Sequence, residues 1–137
     1  MRNLLRKAAA VAAAAAITGT GLLATAAPAA AATYNGACGS GYTQVNKIEL
    51  PNNRGTTFLT YNGSTGNNCV VTVRTNPGTA THMEAFIRTT GSSTWKKDSG
   101  NFTTYAGPVY LSAAGRCVDW GGTIGTATLT EKATNCG

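Results

Sequence analysis

Asn68-Cys69-Val70-Val71-Thr72-Val73-Arg74-Thr75 is a run of β-branched and small residues, closed by the turn cluster Asn76-Pro77-Gly78. Valine and threonine suit a pleated strand, and the Asn-Pro-Gly cluster ends it. Strand alternation places Cys69, Val71 and Val73 on one face and Val70, Thr72 and Arg74 on the other. The next run, Met83–Thr90, repeats the arrangement, with Met83, Ala85 and Ile87 on one face and Glu84, Phe86 and Arg88 opposite. One face carries hydrophobes and the other mixes charge with an occasional ring. That pattern predicts an antiparallel sheet with one wet side. It directs Cys69, Val71 and Val73 inward and sets any disulfide of Cys69 at the edge of the core.

The flanking sequence continues in the same way. Tyr42–Leu50 and Thr56–Tyr61 precede these two runs, separated by Pro51-Asn52-Asn53-Arg54-Gly55. Trp95–Asp98 and Phe102–Tyr105 follow, with Ser99-Gly100 as the expected hairpin corner between them. Val109–Ser112, Cys117–Trp120 and Thr126–Thr130 complete the set. Threonine makes up about one residue in five beyond residue 32, and no apolar stripe of helical period runs over three turns. Turns every ~8–12 residues predict an all-β domain, a small antiparallel sandwich or barrel.

The N-terminus reads differently. Arg2, Arg6 and Lys7 precede the unbroken apolar stretch Ala8 to Ile17, and Ala30-Ala31-Ala32 offers a small-x-small cut before Thr33. These features predict a secretory signal over residues 1–32 and one secreted β domain over residues 33–137. Thr18-Gly19-Thr20-Gly21 breaks the apolar run, and no basic stop-transfer residues follow, which argues against a membrane span in the mature protein. The signal holds three of the eleven basic residues and none of the five acids, so the formal charge of +6 falls to +3 after it. Only about one-third of the remaining residues are apolar. This composition excludes two large domains and a strongly basic nucleic-acid binder.

Export gives the cysteines their meaning. Cys38, Cys69, Cys117 and Cys136 all lie beyond the cut. An even count in a short exported chain reads as two disulfides. No C-x-x-C spacing exists and His82 has no nearby Cys or His in sequence, so no metal site is expected. Of the three possible connectivities, moderate loop lengths favour Cys38–Cys69 with Cys117–Cys136. Each bond would contribute about 3–4 kcal/mol by chain entropy.

The supply of catalytic groups is small. His82 is the one histidine, and no serine sits in a G-x-S-x-G context. Glu49, Glu84, Asp98, Asp119 and Glu131 show no spacing that pairs two of them for hydrolysis. Gly121-Gly122 is not followed by a lysine and a helix, so no phosphate loop, nucleotide or other cofactor is expected. The expectation is a protein that is not an enzyme. Binding has more support, since ten aromatic residues follow the signal. Trp95, Lys96, Tyr105, Asp119 and Trp120 are the candidate ligand contacts, pairing rings with polar groups for stacking on sugars or on another protein. Trp120 also shares a strand face with Val118, which allows it a core role.

The ordered residues carry a likeness to a known family. They are Tyr34-Asn35-Gly36-Ala37-Cys38-Gly39-Ser40-Gly41-Tyr42, Thr57-Phe58-Leu59-Thr60-Tyr61-Asn62, Asn68-Cys69-Val70-Val71-Thr72-Val73-Arg74 and Tyr105-Ala106-Gly107-Pro108-Val109. Ala114-Gly115-Arg116-Cys117-Val118-Asp119-Trp120-Gly121-Gly122 and the closing Cys136-Gly137 complete the set. Across residues 34–137 the chain resembles the spore-associated protein A family of filamentous actinomycetes. The resemblance implies an exported protein found with the spore or aerial-hypha surface, and it carries no catalytic residue over. The expected function is therefore a non-enzymatic, surface-associated protein whose partner is a cell-wall or spore-coat component. A cell-wall carbohydrate-binding module using Trp95 and Tyr105 is one alternative. A small secreted proteinase inhibitor with a reactive loop over Asn62–Asn68 is another.

Overall fold

The computed structural model describes residues 30–137, and the signal reading falls almost wholly outside them. Eight strands form: β1 (Thr43–Glu49), β2 (Gly55–Asn62), β3 (Asn67–Arg74), β4 (Thr81–Thr89), β5 (Lys96–Phe102), β6 (Tyr105–Ser112), β7 (Val118–Ile124) and β8 (Ala127–Thr134). They build two four-stranded sheets, ordered β1-β2-β3-β6 and β5-β4-β7-β8. Every pairing is antiparallel. The fold is an all-β sandwich.

The main core lies between the sheets. Leu59 and Val70 come from the first sheet, and Met83, Ala85, Ile87, Val118 and Trp120 from the second. Each of these side chains is fully buried. Burial of a large aliphatic side chain stabilises by about 1.5–3 kcal/mol. Trp120 fills the centre, and its indole N–H donates to the Thr134 hydroxyl at 2.8 Å. That bond meets the polar need of a buried indole.

One expectation about β3 is reversed. Val70, not Val71, faces the other sheet, and Thr72 points the same way, donating to the Glu84 carbonyl of β4 at 2.9 Å. Val71 and Val73 pack with Phe58 on the outer face, under Ala32, Tyr34 and Ala37. The segment before β1 thus forms a partial third layer, tied down by the Cys38–Cys69 disulfide. Both faces of β3 are buried, so alternation alone cannot say which one meets the second sheet. For β4 the expected face is correct: Met83, Ala85 and Ile87 are all in the core.

Ser99-Gly100 is not a corner. Both residues continue β5, paired with Glu84 and Met83 of β4. The ladder of β4 runs past them, so the chain gains hydrogen bonds by staying extended. The corner falls at Thr103-Thr104, where the chain leaves the second sheet and enters the first as β6. Asp98 of β5 pins this seam by accepting from the Gly107 N–H at 2.8 Å.

Gly122 explains how closely the sheets approach. A Cβ there would overlap the hydroxyls of Thr57 and Thr72. Those hydroxyls lie 2.8 Å apart. Thr72 spends its proton on the Glu84 carbonyl, so Thr57 donates to Thr72. A satisfied polar bridge therefore crosses the core where β7 has no side chain.

The second disulfide, Cys117–Cys136, joins the start of β7 to the C-terminus. No cysteine is free.

Candidate functional site

Alternation in β4 turns His82, Glu84, Phe86 and Arg88 toward the outer face of the second sheet. Register brings Lys97 and Ser99 of β5 beside Phe86 and Glu84. It brings Asp119, Gly121 and Thr123 of β7 beside Arg88, Phe86 and Glu84 on the other side. Two linked clusters result.

The first is built on Arg88. Its Nε donates to Asp119 Oδ2 at 2.8 Å. Its guanidinium carbon lies 4.4 Å from the centroid of the Trp95 ring. Phe86 meets Trp95 edge to face, with centroids 5.3 Å apart. The glycine at position 121 leaves room for the Phe86 ring, since a Cβ there would sit 2.8 Å from it. Trp95 is half-buried at one end of this face. The stack combines a cation–π contact with an aromatic pair.

The second cluster is built on Glu84. Ser99 donates to Oε2 at 3.0 Å, and His82 Nε2 lies 3.2 Å from the same oxygen. Thr123 donates to Oε1 at 3.3 Å, and the Lys97 ammonium is 3.4 Å from it. Burial pushes the Glu84 carboxyl up, but Ser99, Lys97 and His82 together hold it below its ordinary value. It is thus an ionised acceptor at neutral pH. Ser99 donates to the carboxylate and not to His82, so the trio lacks the serine-to-imidazole contact of an activated nucleophile.

The five candidate contacts do not form one site. Trp95 and Lys96 are neighbours, but Lys96 has the opposite parity to Lys97 and lies in the seam between β5 and β6. There it lines a shallow cleft of about 530 Å³ with Lys97, Asp98, Pro108 and Tyr110. Tyr105 is 39% exposed, yet it pairs with Val73 on the outer face of the other sheet, away from Trp95. Asp119 and Trp120 are corrections. Asp119 is 2% exposed and Trp120 is 0% exposed, so neither is available to a ligand. Asp119 is consumed internally, by Arg88, by the Thr90 hydroxyl at 2.7 Å and by the Ala133 N–H at 2.9 Å. Burial pushes its carboxyl up, and those three donors outweigh that and hold it below its ordinary value.

The remaining carboxylates are dispersed. Glu49 pairs with Lys47 at 3.4 Å, Asp98 holds the seam, and Glu131 is exposed on β8. Sequence reasoning missed Phe86 and Arg88 as site residues and weighed Glu84 only as a hydrolytic carboxylate. Their shared parity on β4 was readable, but their partners on β5 and β7 depend on register.

The expected reactive loop is also shorter than its sequence suggests. Asn62, Asn67 and Asn68 belong to strands, and only Gly63–Gly66 lies between them. The Asn62 side chain accepts from Ser64 N at 2.9 Å and from Thr65 N at 3.3 Å. This is a tight hairpin turn closed on itself.

Among the described residues, no helix is long and apolar enough to cross a membrane. No family model matches the chain, and neither does any solved structure. Fold and bonds together define a small β-sandwich closed by two disulfides, with an aromatic and charged outer face. A curated relative, Spore-associated protein A of Streptomyces coelicolor, is 49% identical over 125 residues, covering 87% of this chain and 80% of the relative. The chain belongs to the spore-associated protein A family.

Proposed function

We propose that the protein is an exported, non-enzymatic component of the spore or aerial-hypha surface. The observation that carries this reading is its kinship with a relative named for association with spores. Two disulfides and no free cysteine support an oxidising, extracytoplasmic destination. The order of basic, apolar and small residues over 1–32 supports export.

Fractionation tests it. Native protein is followed in culture medium and on washed spores and hyphae, then extracted with salt and with detergent. Retention on washed spores is the expected result. Protein confined to the medium contradicts the reading.

Sugar binding is a second reading, favoured by the half-buried Trp95 ring packed on Arg88 and Phe86 at the outer face of the second sheet. It predicts retention on chitin or peptidoglycan that Trp95→Ala abolishes. No retention on any wall polymer rejects it.

A further inference from the structure

We propose that Arg54 and Arg74 form a binding site for a phosphate group at one end of the sandwich. The site goes beyond surface association and does not depend on it. Arg54 precedes β2 and Arg74 closes β3, with Gly55 and Arg74 directly paired in register. The two backbones are also joined by Thr75 N donating to Arg54 O at 3.0 Å. Both arginines line one cavity of about 280 Å³, with Asn53, Asn76 and Thr81.

Each guanidinium is anchored through one nitrogen only. Arg54 Nη1 donates to the Ile124 carbonyl at 3.0 Å. Arg74 Nη1 donates to the carbonyls of Thr79 at 2.9 Å and Thr103 at 3.2 Å. These bonds fix the planes of the two groups and leave Nε and Nη2 without a protein partner among the described residues. A carbonyl carries no net charge, so both positive charges remain uncompensated. Neither arginine makes a salt bridge among the described residues, and no carboxylate lines the cavity. Two like charges lining one cavity repel, and an anion bound there relieves that repulsion.

The donor set selects the anion. Two guanidinium forks, two side-chain amides and a hydroxyl exceed what the two oxygens of a carboxylate accept. A phosphate offers more oxygens, and arginine forks match it bidentately. The volume lies below the range of about 300–1,000 Å³ typical of whole small-molecule pockets. It therefore suits one anionic group, with the rest of any larger ligand outside.

The test follows the arginine Nε–H NMR signals of the native, disulfide-intact protein during titration with inorganic phosphate. Sodium chloride at matched ionic strength is the control. Saturating shifts at Arg54 and Arg74 with phosphate, and none with chloride, are expected. Arg54→Gln is expected to weaken binding about tenfold or more, the loss of one charged hydrogen-bonding partner. Equal, non-saturating shifts in both salts overturn the proposal. So does unchanged affinity in an Arg54→Gln variant with a native amide spectrum. Should that variant fail to fold, the wild-type titration decides alone. A glycerol phosphate polymer identifies the source: tighter binding than inorganic phosphate assigns a phosphodiester chain, and weaker binding assigns the free ion.

Discussion

Arg88 and Asp119 are joined at 2.8 Å across β4 and β7, with the aspartate 3% exposed and the arginine 23% exposed in their side chains. The same guanidinium lies under Trp95. One half-buried cation therefore links a buried carboxylate to the aromatic surface of the second sheet.

Removing the carboxylate strands Arg88, the Thr90 hydroxyl and the Ala133 N–H together. Asp119→Ala is expected to destabilise the fold by about 3–5 kcal/mol, the usual result of breaking a buried pair. Urea unfolding at neutral pH measures it. A loss below about 1 kcal/mol would place the pair among surface salt bridges instead.

The pH dependence has a fixed sign. Asp119 and Glu84 both have folded carboxyls held below their ordinary values. Such groups stabilise fully above the unfolded values, about 4, and the contribution is lost as pH falls through the folded values. Unfolding free energy is expected to be flat from pH 7 to about 5 and to fall toward pH 2. Asp119→Asn is expected to flatten part of that decline, as read by urea titrations across the range.

The disulfides close segments with sequence separations of 31 and 19 residues. Chain entropy assigns about 3–4 kcal/mol to each, slightly more to Cys38–Cys69. Paired Cys→Ala variants compared by thermal unfolding test the ranking. The Cys38–Cys69 variant is also expected to expose Phe58 and Val71, because the segment over them loses its tether. Increased binding of a hydrophobic dye would report that exposure.

Gly122→Ala places a methyl group on the Thr57–Thr72 bridge. A cost of about 1–3 kcal/mol is expected from overpacking, with more if the bridge breaks. Gly63→Ala is the control, since nothing lies within 4 Å of its Cβ position.

Much of the fold was legible in the sequence. Strand-rich runs, turn clusters and cysteine spacing point to a two-disulfide sandwich because these signals are local. Four features were not legible. The faces of β3 were exchanged, because Val70 and Val71 are both fully buried and differ only in which layer covers them. The corner at Ser99-Gly100 failed because a serine-glycine pair in an edge strand looks like a turn until its partner strand is known. Asp119 and Trp120 resemble a binding pair only when their burial is unknown. The Glu84 and Arg88 clusters join residues from three strands, and only register brings them together.

As proposed, the domain resides on the spore surface as an exported, disulfide-bonded protein. The most direct measurement is the intact mass, under non-reducing conditions, of the protein released from washed spores. The expected species starts near Thr33 and is four hydrogens lighter than its fully reduced form because both disulfides are present. A chain still carrying residues 1–32, a reduced chain, or no protein on washed spores would contradict it.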